Sequence, residues 1–180
     1  MKPTFHQLTI KDIKKETADT VSIAFDVPAN LAADYKFVPG QYLTLRADVN
    51  GEDIRRSYSI SSALSEGELR VAVKEVENGK FSTYANSSLK AGDVMDVMTP
   101  QGGFVVESDS NAQNNYVFSA AGSGITPVLS MVRTLLESEA NCNVFLYYGN
   151  KSAAATIFKN ELDALASNYS NFKLNYILSI

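Results

Sequence analysis

The sequence predicts an antiparallel β-barrel followed by part of a doubly wound parallel α/β domain. Two observations carry this. Short β-rich runs separated by Gly, Pro, Asn or Asp fill the first part of the chain, and after residue 115 the apolar period changes to strand–helix–strand. A polar stretch without aliphatic residues, Glu107–Asn115, divides the two and reads as a linker. The predicted division is therefore 1–106, a linker 107–115, and 116–180.

The β runs are Gln7–Ile13, Thr20–Phe25, Gln41–Ala47, Ile54–Ser61, Leu69–Val76 and Val94–Thr99. Asn50-Gly51 between two alternating runs is a hairpin signal. Runs at this spacing predict a barrel. Ser82–Leu89, after Gly79, predicts a short helix covering a barrel opening. In the second part Tyr116–Ala121 predicts a buried strand and Gly122-Ser123-Gly124 a tight turn. Thr126–Glu139 carries Val128, Leu129, Val132, Leu135 and Leu136 on one helical face, with Pro127 in its first turn. Val144–Tyr148, Ala153–Ala166 and Phe172–Leu178 continue as strand, helix and strand. The β-α-β-α-β order predicts a parallel sheet.

Composition narrows the function. The chain has 180 residues, 45% apolar and 20% charged, and a net charge of −4. No Lys/Arg cluster stands out, which argues against nucleic acid. No run of about 18 apolar residues offers a membrane span. Met1–Phe5 lacks a hydrophobic signal core, so cytoplasm is the default compartment. A single cysteine, Cys142, and a single histidine, His6, argue against a disulfide framework, a metal site and a serine triad. Cys142 reads as a buried small residue, His6 as a surface or barrel-edge residue, and Tyr147 and Tyr148 as packing. Chemistry here is expected from a bound cofactor.

Three segments are candidates to hold one. In Arg56-Ser57-Tyr58-Ser59, an arginine, an aromatic and a hydroxyl on a strand match the phosphate, ring face and ring-edge nitrogen of a flavin nucleotide. An ordinary amphipathic strand has the same alternation. In Gly79-Lys80-Phe81-Ser82, a glycine before a helix start lets backbone N–H groups approach an anion, and Ser82 either caps the helix or binds phosphate. In Gly122-Ser123-Gly124-Ile125-Thr126-Pro127, a glycine turn between strand and helix suits a dinucleotide, although Pro127 takes the place of the last glycine of the usual fingerprint. Lys151 and Ser152, after the second strand, offer a cation and a hydroxyl and no acid, which favours NADPH over NADH.

In this order the segments resemble the ferredoxin–NADP reductase superfamily, a flavin-binding β-barrel followed by a pyridine-nucleotide domain. Pro39-Gly40-Gln41-Tyr42 and Thr99-Pro100-Gln101-Gly102-Gly103-Phe104 also match its elements. Within it the chain is most similar to the reductase subunits of phenylacetyl-CoA oxygenase (epoxidase) systems. The resemblance implies FAD held by Arg56, Ser57, Tyr58, Ser59, Val73, Gly79, Lys80, Phe81 and Ser82. It implies NADPH or NADH at Gly122, Gly124, Thr126, Pro127, Lys151 and Ser152. Hydride would arrive at flavin N5 beside Ser59 and Tyr58. Electrons would leave to an iron–sulfur acceptor, through a ferredoxin or an oxygenase component. The superfamily's Cys-Gly motif and the four-cysteine ferredoxin domain of the oxygenase reductases are absent from these residues. The chain thus looks truncated, with any [2Fe-2S] cluster in a C-terminal domain it lacks. On the family's strand order 3-2-1-4-5, the Tyr116–Ala121 edge would be open and would favour a dimer. Two alternatives stay open: a flavin-binding electron-transfer subunit, and a flavin module without NAD(P)H turnover of its own.

Overall fold

The computed structural model describes residues 3–111, 113–139 and 141–179. Ala112 of the predicted linker lies outside them, as do Met1, Lys2, Ala140 and Ile180.

The first unit is a curled six-stranded antiparallel sheet. Its strands are β1 (Phe5–Thr17), β2 (Thr20–Asp26), β3 (Tyr42–Val49), β4 (Glu52–Ser59), β5 (Leu69–Lys74) and β6 (Val94–Met98), in the order β4-β3-β6-β1-β2-β5. A bridge between Ile60 and Val71 joins the two edge strands and closes the barrel. The β3–β4 hairpin turns at Asn50 and Gly51, whose φ angles of 57° and 82° are the left-handed pair such a turn needs. Alternation sends Leu8, Ile10, Ile23, Leu43, Leu45, Val71 and Val97 into one core. Helix α1 (Lys80–Ser87) plugs the barrel with Phe81 and Ala85. It begins two residues before the predicted start.

The second unit is a three-stranded parallel sheet in the order β7 (Asn115–Ala121), β8 (Asn143–Asn150), β9 (Phe172–Leu178). Helices α2 (Ile125–Ser138) and α3 (Lys159–Asn168) share a core with Val144, Leu146, Tyr148 and Phe172. The opposite face is open: Val117, Tyr147 and Ile177 are 69%, 43% and 56% exposed. Tyr147 is therefore not a packing residue, since strand alternation turns it away from Tyr148 and the helices. The predicted helix Ala153–Ala166 is broken. Ala153–Ala155 forms a single 3₁₀ turn, Thr156 is extended and Phe158 sits at φ 59°. Cys142 is buried, as expected of a small core residue. No helix among the described residues is long and apolar enough to cross a membrane.

Contacts along α2 tie it to the connecting segment and to the barrel. Glu139, fully buried after α2, accepts from the Asp109 N–H at 2.9 Å and from the Tyr116 hydroxyl at 3.0 and 3.1 Å. The polar connecting segment is thus clipped to the end of α2. Gly40, at φ 102°, lies so close that a Cβ would collide with the Phe104 carbonyl oxygen and Met131 Cε of α2. Ser130 of α2 donates to the buried Ser62 carbonyl at 2.7 Å.

Inside the barrel wall Arg70 is 7% exposed. It donates to Glu68 at 2.6 Å, Asp12 at 2.8 Å and Ser22 at 2.8 Å, tying β5 to β1 and β2. Its hydrogen bonds hold the Glu68 and Asp12 carboxyls below their ordinary values of 4.5 and 3.8. Depressed values stabilise the fold above the unfolded pKa, and that contribution fades as pH falls through the folded values. Arg70→Met is expected to cost about 2 kcal/mol at neutral pH. In urea denaturation the difference from the parent should shrink as pH falls below the ordinary carboxylate range, where the carboxyls take up protons.

Candidate functional site

A cavity of about 430 Å³ opens between the barrel and the start of α2. All three candidate segments line it: Arg56–Ser59 from β4, Gly79–Ser82 at the start of α1, and Ser123, Gly124, Thr126 and Pro127 from the turn after β7. Ala72, Lys74 and Val76 complete the wall.

The β4 side chains differ in what they leave free. Arg46 and Arg55 both pair with Asp53 at 3.1 Å. Arg56 has no carboxylate partner among the described residues and donates only to the Arg55 carbonyl, at 2.7 Å. Its charge is available to an anion. The Tyr58 ring lies 5.7 Å from that of Phe81, tilted by 30°. Burial pushes the Tyr58 phenol up to about 12, so it stays protonated as a donor. The Ser57 hydroxyl pairs with Thr44 at 3.0 Å. Ser59 makes no side-chain hydrogen bond within the described residues.

The α1 start is an anion cradle made of backbone. The first helical bond runs from Thr83 N–H to Gly79 C=O, at 2.9 Å. The N–H groups of Lys80, Phe81 and Ser82 precede it, and no side chain caps them. Ser82 is neither that cap nor a free hydroxyl. It accepts from Val76 N–H at 3.2 Å and donates to Gly79 C=O at 3.0 Å, folding the loop that presents the helix end. Phe81 is buried and supports Tyr58 from beneath. The Lys80 amine reaches Glu52 at 2.6 Å, and Lys80 also lines a neighbouring cavity of about 330 Å³ with Asn50, Asn78 and Thr83.

A second cavity, of about 580 Å³, lies at the carboxyl ends of the parallel strands. Such crevices are where open α/β sheets bind ligands. It is lined by Ala121, Gly122, Ser123, Gly149, Asn150, Lys151, Ala155, Ile177, Ser179 and Lys74. Gly122 takes φ 51° and accepts from the Tyr148 hydroxyl at 2.9 Å, and Thr126 donates to the Ser123 carbonyl at 3.1 Å. These bonds shape the turn on which the two cavities meet. Lys151 lines the cavity, but Ser152 does not. The Ser152 hydroxyl accepts from the Ala155 N–H at 3.3 Å and caps the 3₁₀ turn.

Two further differences from the sequence expectation follow from strand parity. The Val73 side chain is fully buried in the barrel core, and its neighbours Ala72 and Lys74 face the cavity. Lys74, absent from the candidate residues, lines both cavities and lies 3.4 Å from Asp19. The one available signal was its place at the end of an apolar strand, two residues beyond Ala72.

The donor set fits a flavin dinucleotide and a pyridine dinucleotide. It offers an unpaired guanidinium, free helix-start N–H groups, an aromatic platform, and room for a long ligand in adjoining cavities. No carboxylate lines either of these two cavities.

Known proteins agree. Residues 7–106 match the oxidoreductase FAD-binding domain and residues 118–179 the oxidoreductase NAD-binding domain. The chain is 43% identical to one of the subunits of the 1,2-phenylacetyl-CoA epoxidase of Escherichia coli (strain K12), over 92% of this chain and 47% of that protein. It is 36% identical to the ferredoxin reductase component of 3-ketosteroid-9-alpha-monooxygenase from Rhodococcus rhodochrous, over 90% of this chain and 46% of that protein. The chain thus spans about half the length of the curated relatives it matches. Among solved structures, the ferredoxin-NADP+ reductase from Plasmodium falciparum with 2'P-AMP superposes with a TM-score of 0.83 at 22% identity, covering 98% of this chain and 74% of that one. That likeness is one of fold. The FAD/NAD-binding domain of nitric oxide dioxygenase from Vibrio cholerae gives a TM-score of 0.80 at 26% identity, covering 94% and 72%.

A Cβ at Gly79 would collide with Ser82 Oγ and Val76 Cγ2. Gly79→Ala is therefore expected to break the Ser82 stitch and cost about 1–2 kcal/mol in urea denaturation.

Proposed function

Because this chain belongs to the ferredoxin–NADP reductase family of FAD- and NAD-binding oxidoreductases, we propose that it is the reductase part of an oxygenase system. In this reading it takes electrons from NADPH, or NADH, through FAD to an iron–sulfur centre. The observation that carries the proposal is the meeting of three separate sequence segments in one cavity, which shares Lys74 and Ser123 with a second. When bound, FAD supplies hydride acceptance and the release of single electrons. The chain supplies binding and placement. Arg56 neutralises the FAD phosphates together with the N–H groups of Lys80, Phe81 and Ser82. Tyr58 lies against the ring system and Ser59 hydrogen-bonds its edge. The Gly122–Pro127 turn seats the nicotinamide end of the second nucleotide, and Lys74 neutralises charge where the two cavities join. Lys151, with no acid in that cavity, favours the 2′-phosphate of NADPH.

The partner is an oxygenase component or a ferredoxin, and the iron–sulfur centre, a [2Fe-2S] cluster, lies outside these residues. The relatives' names support this, since they are a component of an epoxidase and reductase components of monooxygenases. Phenylacetyl-CoA oxygenation is the pathway we assign on the first of these likenesses. We divide the chain into a flavin unit, residues 1–106, a linker, 107–115, and a nucleotide unit, 116–180, and place it in the cytoplasm, where its free Cys142 stays reduced. Strand β7 is paired on one side only, and we propose that its free edge favours a dimer.

Anaerobic titration of the FAD-loaded chain with NADPH should bleach the flavin absorbance near about 450 nm, the signature of the bound redox cofactor. A chain that takes up FAD and stays yellow would refute turnover by these residues and leave the module reading. Arg56→Ala should raise the FAD Kd about tenfold, the loss of one charge-assisted contact, with unfolding unchanged. Equal FAD affinity in variant and parent would remove Arg56 from the site. Light scattering should give a mass that rises with concentration toward a dimer. A constant monomer mass would exclude β7 pairing.

A further inference from the structure

Two cofactors in adjoining cavities have a relative position that depends on how α2 sits against the barrel. Thr126, Ser130, Arg133 and Glu137 recur every three or four residues, so they form one stripe of the helix. Thr126 lines the first cavity at the top of this stripe. Below it Ser130 donates to the Ser62 carbonyl at 2.7 Å, with both residues buried. Arg133, one turn further, donates to Glu66 of the barrel at 2.8 Å and to Glu161 of α3 at 2.8 Å. Glu137 closes the stripe with a hydrogen bond from Ser65.

Both ends of the Ser130–Ser62 bond are short rigid distances from the site. Ser62 lies three residues beyond Ser59 on the same run of chain, and Ser130 lies one helical turn beyond Thr126. Leu64–Glu66 is itself a 3₁₀ turn closed by the Glu66 carboxylate, which accepts from the Ala63 N–H at 2.7 Å. The seam therefore works as a calliper, with one jaw carrying Ser59 and the other Thr126 and Pro127.

We infer that Ser130 and Arg133 are positioning residues that set the offset between the flavin and the nicotinamide, with Arg133 extending the hold to α3. Neither touches the cavities. This inference rests on the proposed function for its effect on rate, but not for its effect on the spacing of the two units. Misplacement of reacting rings by about 1 Å lowers a transfer rate by as much as about a hundredfold. The seam's loss should thus reach the rate before it reaches binding.

The test compares Ser130→Ala and Arg133→Met with Ser130→Thr, in the FAD-loaded chain. Fluorescence energy transfer between dyes at Lys90→Cys on the barrel and Lys173→Cys on β9 reports the spacing without any turnover. Expected are a broadened distance distribution in Ser130→Ala and Arg133→Met, and flavin bleaching at saturating NADPH about tenfold slower, with FAD content and KM within about twofold. The long-wavelength absorbance of stacked nicotinamide and flavin should weaken in parallel. Ser130→Thr, which keeps the hydroxyl, should restore all three. Unchanged spacing and rate, or a rate loss that tracks lost FAD or persists in Ser130→Thr, would overturn the inference. If the parent itself fails to bleach, the proposed function fails and the spacing alone decides: broadening sustains the seam and an unchanged distribution refutes it. Should Arg133→Met not fold, Arg133→Lys, which cannot span both carboxylates, gives the same comparison.

Discussion

The close approach at Gly40 is the constraint on which the rest of the molecule depends. Here the Gly40 backbone packs against the Phe104 carbonyl of its own unit and the Met131 methyl of α2, which together occupy the space of a missing Cβ. Any Cβ at Gly40 would strike the Phe104 backbone as well as Met131, and φ 102° excludes most other residues. From this point α2 runs along the barrel, and its first turn ends at the mouth of the first cavity. Glu139 at the opposite end of α2 binds the connecting segment through Asp109 and β7 through Tyr116. The helix is thus held at both ends and along one stripe, and two separate cores acquire a common geometry.

That geometry lets an acidic protein present positive walls. The chain carries a net charge of −4. Arg56, Lys74 and Lys80 line the first cavity, Lys74 and Lys151 the second, and carboxylates line neither, with Glu52 on Lys80 and Asp19 on Lys74 lying outside them. The acids are engaged elsewhere: Asp53 by Arg46 and Arg55, Glu68 and Asp12 by Arg70, and Glu66 and Glu161 by Arg133. Such segregation favours phosphate-bearing ligands locally without a basic protein overall.

Much of this was legible in the sequence, for physical reasons. Asn50-Gly51 permits the left-handed pair that a tight hairpin requires, and the change from period two to a helical stripe marks the second unit. The three segments that meet in the first cavity were readable because each has an uncommon residue at a fixed place: an arginine on a strand, a glycine before a helix, a glycine turn between strand and helix. What escaped depends on tertiary context. Alternation in Leu69–Lys74 defines two faces without saying which one closes the barrel, so Val73 was placed at the site and Lys74 was not. Ser152 has the chemistry of a phosphate ligand, yet a local N–H claims its hydroxyl. The break before α3 follows from the left-handed Phe158, a buried aromatic that no propensity places at positive φ. The polar connecting segment gives no hint that a buried carboxylate distant in sequence receives it.

The site's electrostatics also bear on how its chemistry runs. Neither a histidine nor a carboxylate lines the two cavities. Arg56 and Tyr58 both line the first cavity. Tyr58, pushed up to about 12 by burial, keeps its proton throughout the physiological range. Tyr58 therefore stands in the first cavity as a fixed donor and not as a titrating acid or base. A site of this kind acts through distance and orientation. Its sensitivity to mutation should then be greatest where spacing is set, and weakest where only an isolated hydroxyl is lost.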